Sequence, residues 1–116
     1  MCGRVKIKKG HVCIPTEVKD ILYIEGGKAN FVFIHLADGT VHKVWEITLT
    51  EWGQNKELVA SGLFIRANKS YIINWTAVYS YDKTNGATLK CKTVIHLNEE
   101  GFNELEKRFF PDKENS

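Results

Sequence analysis

Apolar and polar residues alternate with a period of two along most of the chain, and turn-forming dipeptides punctuate the alternation. That is the pattern of half-buried antiparallel strands. Phe31-Val32-Phe33-Ile34-His35-Leu36 and Val41-His42-Lys43-Val44-Trp45 flank Asp38-Gly39, while Ala77-Val78-Tyr79-Ser80-Tyr81 and Ala87-Thr88-Leu89-Lys90-Cys91 flank Asn85-Gly86. Both dipeptides tolerate the positive φ of a type I′ turn, so each is predicted to close a two-residue hairpin. Gly26-Gly27 marks a third reversal after Ile21-Leu22-Tyr23-Ile24, and Val5-Lys6-Ile7 with Val12-Cys13-Ile14 form a short opening pair around Gly10. The expected class is mainly β, an antiparallel meander of roughly eight to ten short strands.

Two segments leave this period. Thr48 and Glu51 have the spacing of a capping box, and Leu49, Trp52 and Val59 fall near one face of a single helix, against a cost of about 1 kcal/mol for Gly53. Asn98 is placed to cap a terminal helix on which Phe102, Leu105 and Phe109 recur, with Glu99 and Glu100 favourable at its positive end. One or two short helices therefore accompany the strands. Trp45, Trp52 and Trp75 occupy strand or helix positions and are expected in the core. The tail over residues 111–116 is polar and should fray.

Composition sharpens this only at some points. A chain of 116 residues with 43% hydrophobic and 11% aromatic residues can close a single core, so one domain over residues 1–116 is expected, with its core at about residues 5–110. No apolar run is long enough to span a bilayer, and Met1-Cys2-Gly3-Arg4 leads into alternation rather than an apolar signal segment, which points to the cytoplasm. The sequons Asn68-Lys69-Ser70 and Asn74-Trp75-Thr76 are then not read. Cys2, Cys13 and Cys91 lie far apart and are odd in number, as reduced thiols would be. A net charge of +2 permits nucleic acid without arguing for it.

Catalytic chemistry has little to stand on. A two-residue turn at Asp38-Gly39 would set His35 and His42 opposite each other on one face, but no third ligand is evident. No carboxylate pair, nucleophile with a base, or phosphate loop is present, so neither an enzyme nor a cofactor is expected.

The stretch Phe64-Ile65-Arg66-Ala67-Asn68-Lys69-Ser70-Tyr71-Ile72-Ile73-Asn74 resembles the signature of LytTR domains, a Phe-x-Arg-x-His-Arg-Ser core that runs into Tyr, two aliphatics and Asn. Asp20-Ile21-Leu22-Tyr23-Ile24-Glu25 resembles the Asp-Ile-Leu-Tyr-Ile-Glu strand of that family, and Asp38-Gly39, Ala77-Val78 and Asn85-Gly86 keep its order and spacing. The likeness covers roughly residues 5–110. It implies the DNA-binding part of bacterial LytR/AlgR-type transcription regulators: an elongated β fold with no helix-turn-helix. Its inter-strand loops and a helix start would enter the grooves of double-stranded promoter DNA at imperfect direct repeats, an arrangement that allows a homodimer on DNA. It implies no membrane and no small-molecule substrate. The receiver domain usual in the family has no counterpart in these residues.

Three contact loops follow from the resemblance. The first is Gly26-Gly27-Lys28-Ala29-Asn30, with Lys28 on phosphate and Asn30 on a base edge, chemistry to which an ammonium and an amide are suited. The second is Arg66-Ala67-Asn68-Lys69-Ser70, a clamp on the DNA backbone. Here Asn68 stands where the family usually has His, and Lys69 where it usually has Arg, so a planar fork becomes a point charge. The third is the start of the last helix, where the family places Ser-Arg and this chain has Asn98-Glu99; a carboxylate there meets the phosphate field as a repulsion, though it can accept from a cytosine amino group. Read without the resemblance, Gly-Gly-Lys is a solvated turn, and Asn98, Glu99 and Glu100 are a helix cap with favourable charges. The rival reading is a protein-interaction module on the same scaffold with weakened DNA binding. DNA binding asks for Lys28, Arg66 and Lys69 on one continuous basic face.

Overall fold

The computed structural model describes residues 3–26 and 30–111. Their strands are β1 (Arg4–Lys9), β2 (Val12–Glu17), β3 (Ile21–Gly26), β4 (Phe31–Leu36), β5 (Val41–Trp45), β6 (Phe64–Asn68), β7 (Tyr71–Asn74), β8 (Val78–Asp82), β9 (Gly86–Leu89) and β10 (Val94–Ile95). The helices are α1 (Leu49–Gly53), α2 (Lys56–Ser61) and α3 (Glu99–Phe109). The class is mainly β, the pairings are antiparallel, and the body is elongated at 51 × 31 × 24 Å. Residues 112–116, on which the expected fraying falls, and Cys2 lie outside the described residues. Cys13 and Cys91 are free and exposed.

A five-stranded sheet in the order β5-β4-β3-β7-β6 forms the centre. It is not a plain meander, because α1 and α2 carry the chain from the β5 edge to the β6 edge and β7 returns beside β3. Period-two alternation gives the sheet two apolar faces. Ile24, Val32, Ile34, Val44 and Ile72 meet Val5, Ile7, Leu49, Trp52 and Leu58 from the β1–β2 hairpin and the short helices. On the other side Tyr23, Ile65 and Ile73 meet Ala87, Leu89, Ile95 and Leu105 from β8–β10 and α3.

Both tight hairpins differ from the two-residue turns predicted. His35 pairs with Val41, so the first turn is Ala37-Asp38-Gly39, with Gly39 at φ +92 and the Asp38 carboxylate accepting from the Thr40 N–H at 2.9 Å. In the second, Gly86 at φ +91 sits opposite Asp82, whose carboxylate accepts from Thr84 and Asn85 N–H. Hydrogen bonding also holds both aspartate carboxyls below their ordinary pKa, through the Thr40 side chain and then its N–H for Asp38, and through the Asn85 N–H and then its side chain for Asp82. In each case the carboxylate builds the turn and the glycine takes the positive φ beside it. The one-residue change of register reverses a face. His42 falls opposite Ile34 rather than His35, and His35 instead stacks on Tyr23 at 4.0 Å and reaches Glu25 at 3.3 Å. The histidine pair does not form.

The single helix expected after Thr48 is two. The Thr48–Glu51 capping box is present, but the helix stops at Gly53 and Asn55 starts another by accepting from Glu57 and Leu58 N–H. Leu58 takes the buried position, and Val59 is left 63% exposed. Glycine lowers helix propensity and asparagine is a strong N-cap, so the break has a local cause. Trp52 is buried and Trp75 half-buried, whereas Trp45 is 59% exposed because it stands on edge strand β5 beyond the cover of the C-terminal sheet.

Candidate nucleic-acid interface

The β6–β7 turn is shaped by its own side chains. Arg66 pairs with Ile72 and Asn68 with Tyr71, so Ala67 is an extra residue without a partner on β7. Such a bulge bends its strand and re-aims the groups around it. The Arg66 guanidinium donates to the carbonyls of Asn68 at 2.8 Å and Lys69 at 2.9 Å, bracing the turn while its remaining N–H groups stay exposed. Asn68 accepts from the Ser70 N–H and donates to the His96 carbonyl, each at 2.7 Å. Its amide therefore works first as an internal brace. Lys69 and Ser70 are exposed at the tip.

The start of α3 is fastened to that bulge. Asn98 donates its backbone N–H to the Ala67 carbonyl at 2.9 Å, and its side chain caps the helix by accepting from the Gly101 N–H at 2.7 Å. Gly101 lies flat on the Ala67 backbone; a β-carbon there would collide with the Ala67 carbonyl oxygen and stand 3.0 Å from its carbonyl carbon. Glu99 and Glu100 are exposed in the first turn of the helix. Lys83, from the β8–β9 turn, lines the same shallow cleft as Asn98 and Glu99 and stands over the Phe102 ring at 5.3 Å. Nothing in the spacing of the sequence brings Lys83 to that place, nor Gly101 to Ala67.

The first loop begins where Gly26 donates to the Ser70 carbonyl at 2.8 Å, so its root sits against the second. At its other end Asn30 is exposed, and its carbonyl accepts from Glu46 N–H at 2.7 Å. Lys28, with Gly27 and Ala29, lies outside the described residues. Three loops distant in sequence thus share one end of the molecule through Gly26–Ser70, Asn68–His96 and Ala67–Asn98. The described cations on it are Arg66, Lys69 and Lys83, and Glu99 and Glu100 interrupt them.

Residues 11–109 match the LytTr DNA-binding domain family. The chain belongs to the LytTR family. The fold agrees with that of the LytTr DNA-binding domain of a protein described as a methyl-accepting/DNA response regulator from Bacillus cereus. The TM-score is 0.69 at 16% identity, over 95% of this chain and 99% of that one. At that identity the likeness speaks for the fold alone. No curated protein matches the LytTR chain in sequence. The family is one of DNA-binding domains in transcription regulation, not of enzymes. Among the described residues of this LytTR domain no helix is long and apolar enough to cross a membrane, and no cluster of His, Cys, Asp and Glu is suited to a metal ion.

Proposed function

We infer that this LytTR domain reads double-stranded promoter DNA sequence-specifically, acting in the cytoplasm as one unit over residues 1–116, with its loops set into adjacent grooves. The reading rests on the main-chain bonds that fix the three loops together, since groove insertion needs their spacing held before DNA arrives. Arg66, Lys69 and Ser70 take phosphate, with Lys28 of the first loop. Asn30 reads a base edge. Asn68 and Asn98 hold the second and third loops in position, and Glu99 faces the groove from the start of α3. Two copies on successive direct repeats would account for a homodimer on DNA. An anisotropy titration against random duplexes, followed by selection of the bound sequences, tests this directly; binding with no recoverable consensus overturns it.

Lys69→Ala is expected to weaken binding to all duplexes and to lower the slope of log affinity against log salt by about one unit, because one phosphate contact is lost. An unchanged slope removes Lys69 from the interface. The acidic start of α3 is what favours the rival reading, a protein-interaction module with weakened DNA binding, and Glu99→Arg separates the two. With Glu99 facing a groove, the exchange tightens binding about five- to tenfold, since a repelled carboxylate becomes a cation able to pair with guanine or phosphate. It also lowers stability by about 0.3 to 1 kcal/mol, through a positive charge at the positive end of α3. Unchanged affinity in a folded protein would leave the rival standing.

A further inference from the structure

At the loop end of the central sheet, the order β5-β4-β3-β7-β6 puts the β6–β7 turn and the β3–β4 loop side by side, with the end of β5 outside them. The β1–β2 hairpin reaches the same end. Its root is tied to the far end, where the Gly3 carbonyl accepts from the Val18 N–H just ahead of Ile21, the first residue of β3. Its tip lies by the end of β5, since Lys9 and Gly10 line one cleft with Trp45 and Glu46, and the Glu46 N–H holds the Asn30 carbonyl of the first loop. Lys9 pairs with Val12, so Gly10-His11 is a two-residue turn, with Gly10 at φ +66. A β-carbon on Gly10 would meet no atom within 4 Å beyond its own neighbours, so that side of the tip faces open solvent. Val5 and Ile7 turn into the core and leave Lys6 and Lys8 on the outer face, and Lys9 is exposed as well. Among the described residues no carboxylate pairs with these three ammonium groups.

We propose that the hairpin tip is a fourth DNA contact, in which Lys8 and Lys9 bind phosphates that flank the read segment on the first-loop side. The contact rests on the duplex binding inferred above and extends it beyond the three loops. Its ligand is the sugar–phosphate backbone, because an ammonium neutralises a phosphate and releases its counterions whatever the base. A lysine is a point charge on a flexible stem, suited to a phosphate rather than to a fixed pattern of base-edge groups. The placement also answers a difficulty at the other flank. Glu99 and Glu100 oppose the phosphate field at the start of α3, beside β6, whereas the hairpin stands past β5 at the opposite margin with no acid between its lysines. Attraction on the first-loop side thus offsets repulsion on the α3 side, and the domain grips the backbone where it does not read.

Duplex affinity of the full chain is measured by anisotropy over a range of salt, on random duplexes and on the selected sequence with either flank trimmed base pair by base pair. The double variant Lys8→Ala, Lys9→Ala is expected to lose about two units of salt slope and at least about fivefold in affinity at physiological salt. Its preference for the selected sequence over a scrambled one should not change, because phosphate contacts carry no sequence. Trimming one flank should weaken the unaltered protein and leave the double variant indifferent. Lys19→Glu, at the far end of the sheet beside Ile21, changes the net charge by the same amount and is expected to keep the slope, since charges beyond a Debye length are screened. An unaltered protein that binds no duplex defeats DNA reading itself, and the hairpin contact with it. Binding with a consensus, but with equal slope and flank dependence in the unaltered protein and the double variant, overturns the hairpin contact alone. An equal loss in Lys19→Glu also overturns it, because net charge rather than place then sets the affinity. So does light scattering that finds the double variant self-associated at unchanged affinity, which makes the lysines guards of an open strand edge.

Discussion

Gly101→Ala is expected to destabilise the domain by about 3 kcal/mol and to weaken DNA binding further than its loss of stability explains. Helix propensity alone argues the other way, since alanine in a helix is worth about 1 kcal/mol over glycine. The contact decides the sign. The added methyl would run into the backbone of Ala67, and neither side can yield cheaply: Ala67 is the bulge of β6, and its carbonyl already holds the Asn98 N–H. Relief requires α3 to lift from β6, which also moves Asn98 and Glu99 away from Lys69. Urea unfolding gives the stability, and anisotropy on the selected duplex, below the denaturation range, gives the binding. A protein stabilised by the exchange would show that α3 does not sit this close to β6.

The second large effect is at Asn74, 1% exposed at the end of β7. Its amide donates to the Ile21 carbonyl at 3.1 Å, and its oxygen accepts from the Thr76 N–H at 3.0 Å and the Thr76 hydroxyl at 2.7 Å. One side chain thus ties the start of β3 to the short turn Trp75–Ala77 that leads to β8. Asn74→Leu keeps the branched outline but adds bulk at a buried position and leaves the buried Ile21 carbonyl without its donor, and is expected to lower stability by about 3 kcal/mol. Asn74→Asp keeps the acceptor and loses the donor, so it should retain the Thr76 turn while weakening the link to Ile21. Hydrogen exchange at Thr76 distinguishes the two, and equal protection in both variants would show that the turn does not depend on Asn74.

The features legible in the sequence were those written within a few residues of each other. The Thr48–Glu51 box and the Asn98 cap follow from side chains bonding to backbone one turn away, and the structure has both. Asp38-Gly39 marked a hairpin but not its register, because the dipeptide suits a two-residue turn as well as the end of a three-residue one. The choice lay in the Asp38 bond to Thr40. The pattern after Thr48 runs on across Asn55 as one helix, since Val59 mimics the next apolar position while Leu58 is the residue buried. At the candidate interface, the signature around Arg66 announced a loop and left open what its side chains do. Asn68 reads as a contact residue by type, yet it braces the turn against His96, whose position depends on a separate sheet. The seat of Gly101 on Ala67 joins segments far apart in the chain, and no local pattern encodes it.

The place of β7 between β3 and β6 bears on how the chain leaves the ribosome. Until Asn74 has emerged, β3 has β4 on one side and a bare edge on the other, while Tyr23 waits for a covering layer made of residues still to be synthesised. Such a nascent chain carries an open hydrogen-bonding rim beside uncovered apolar surface, the combination that invites pairing with other chains. Slowing translation before the β6–β7 hairpin is complete would prolong that exposure. Demand for a chaperone should therefore peak over a window of chain lengths that closes once β7 takes its seat.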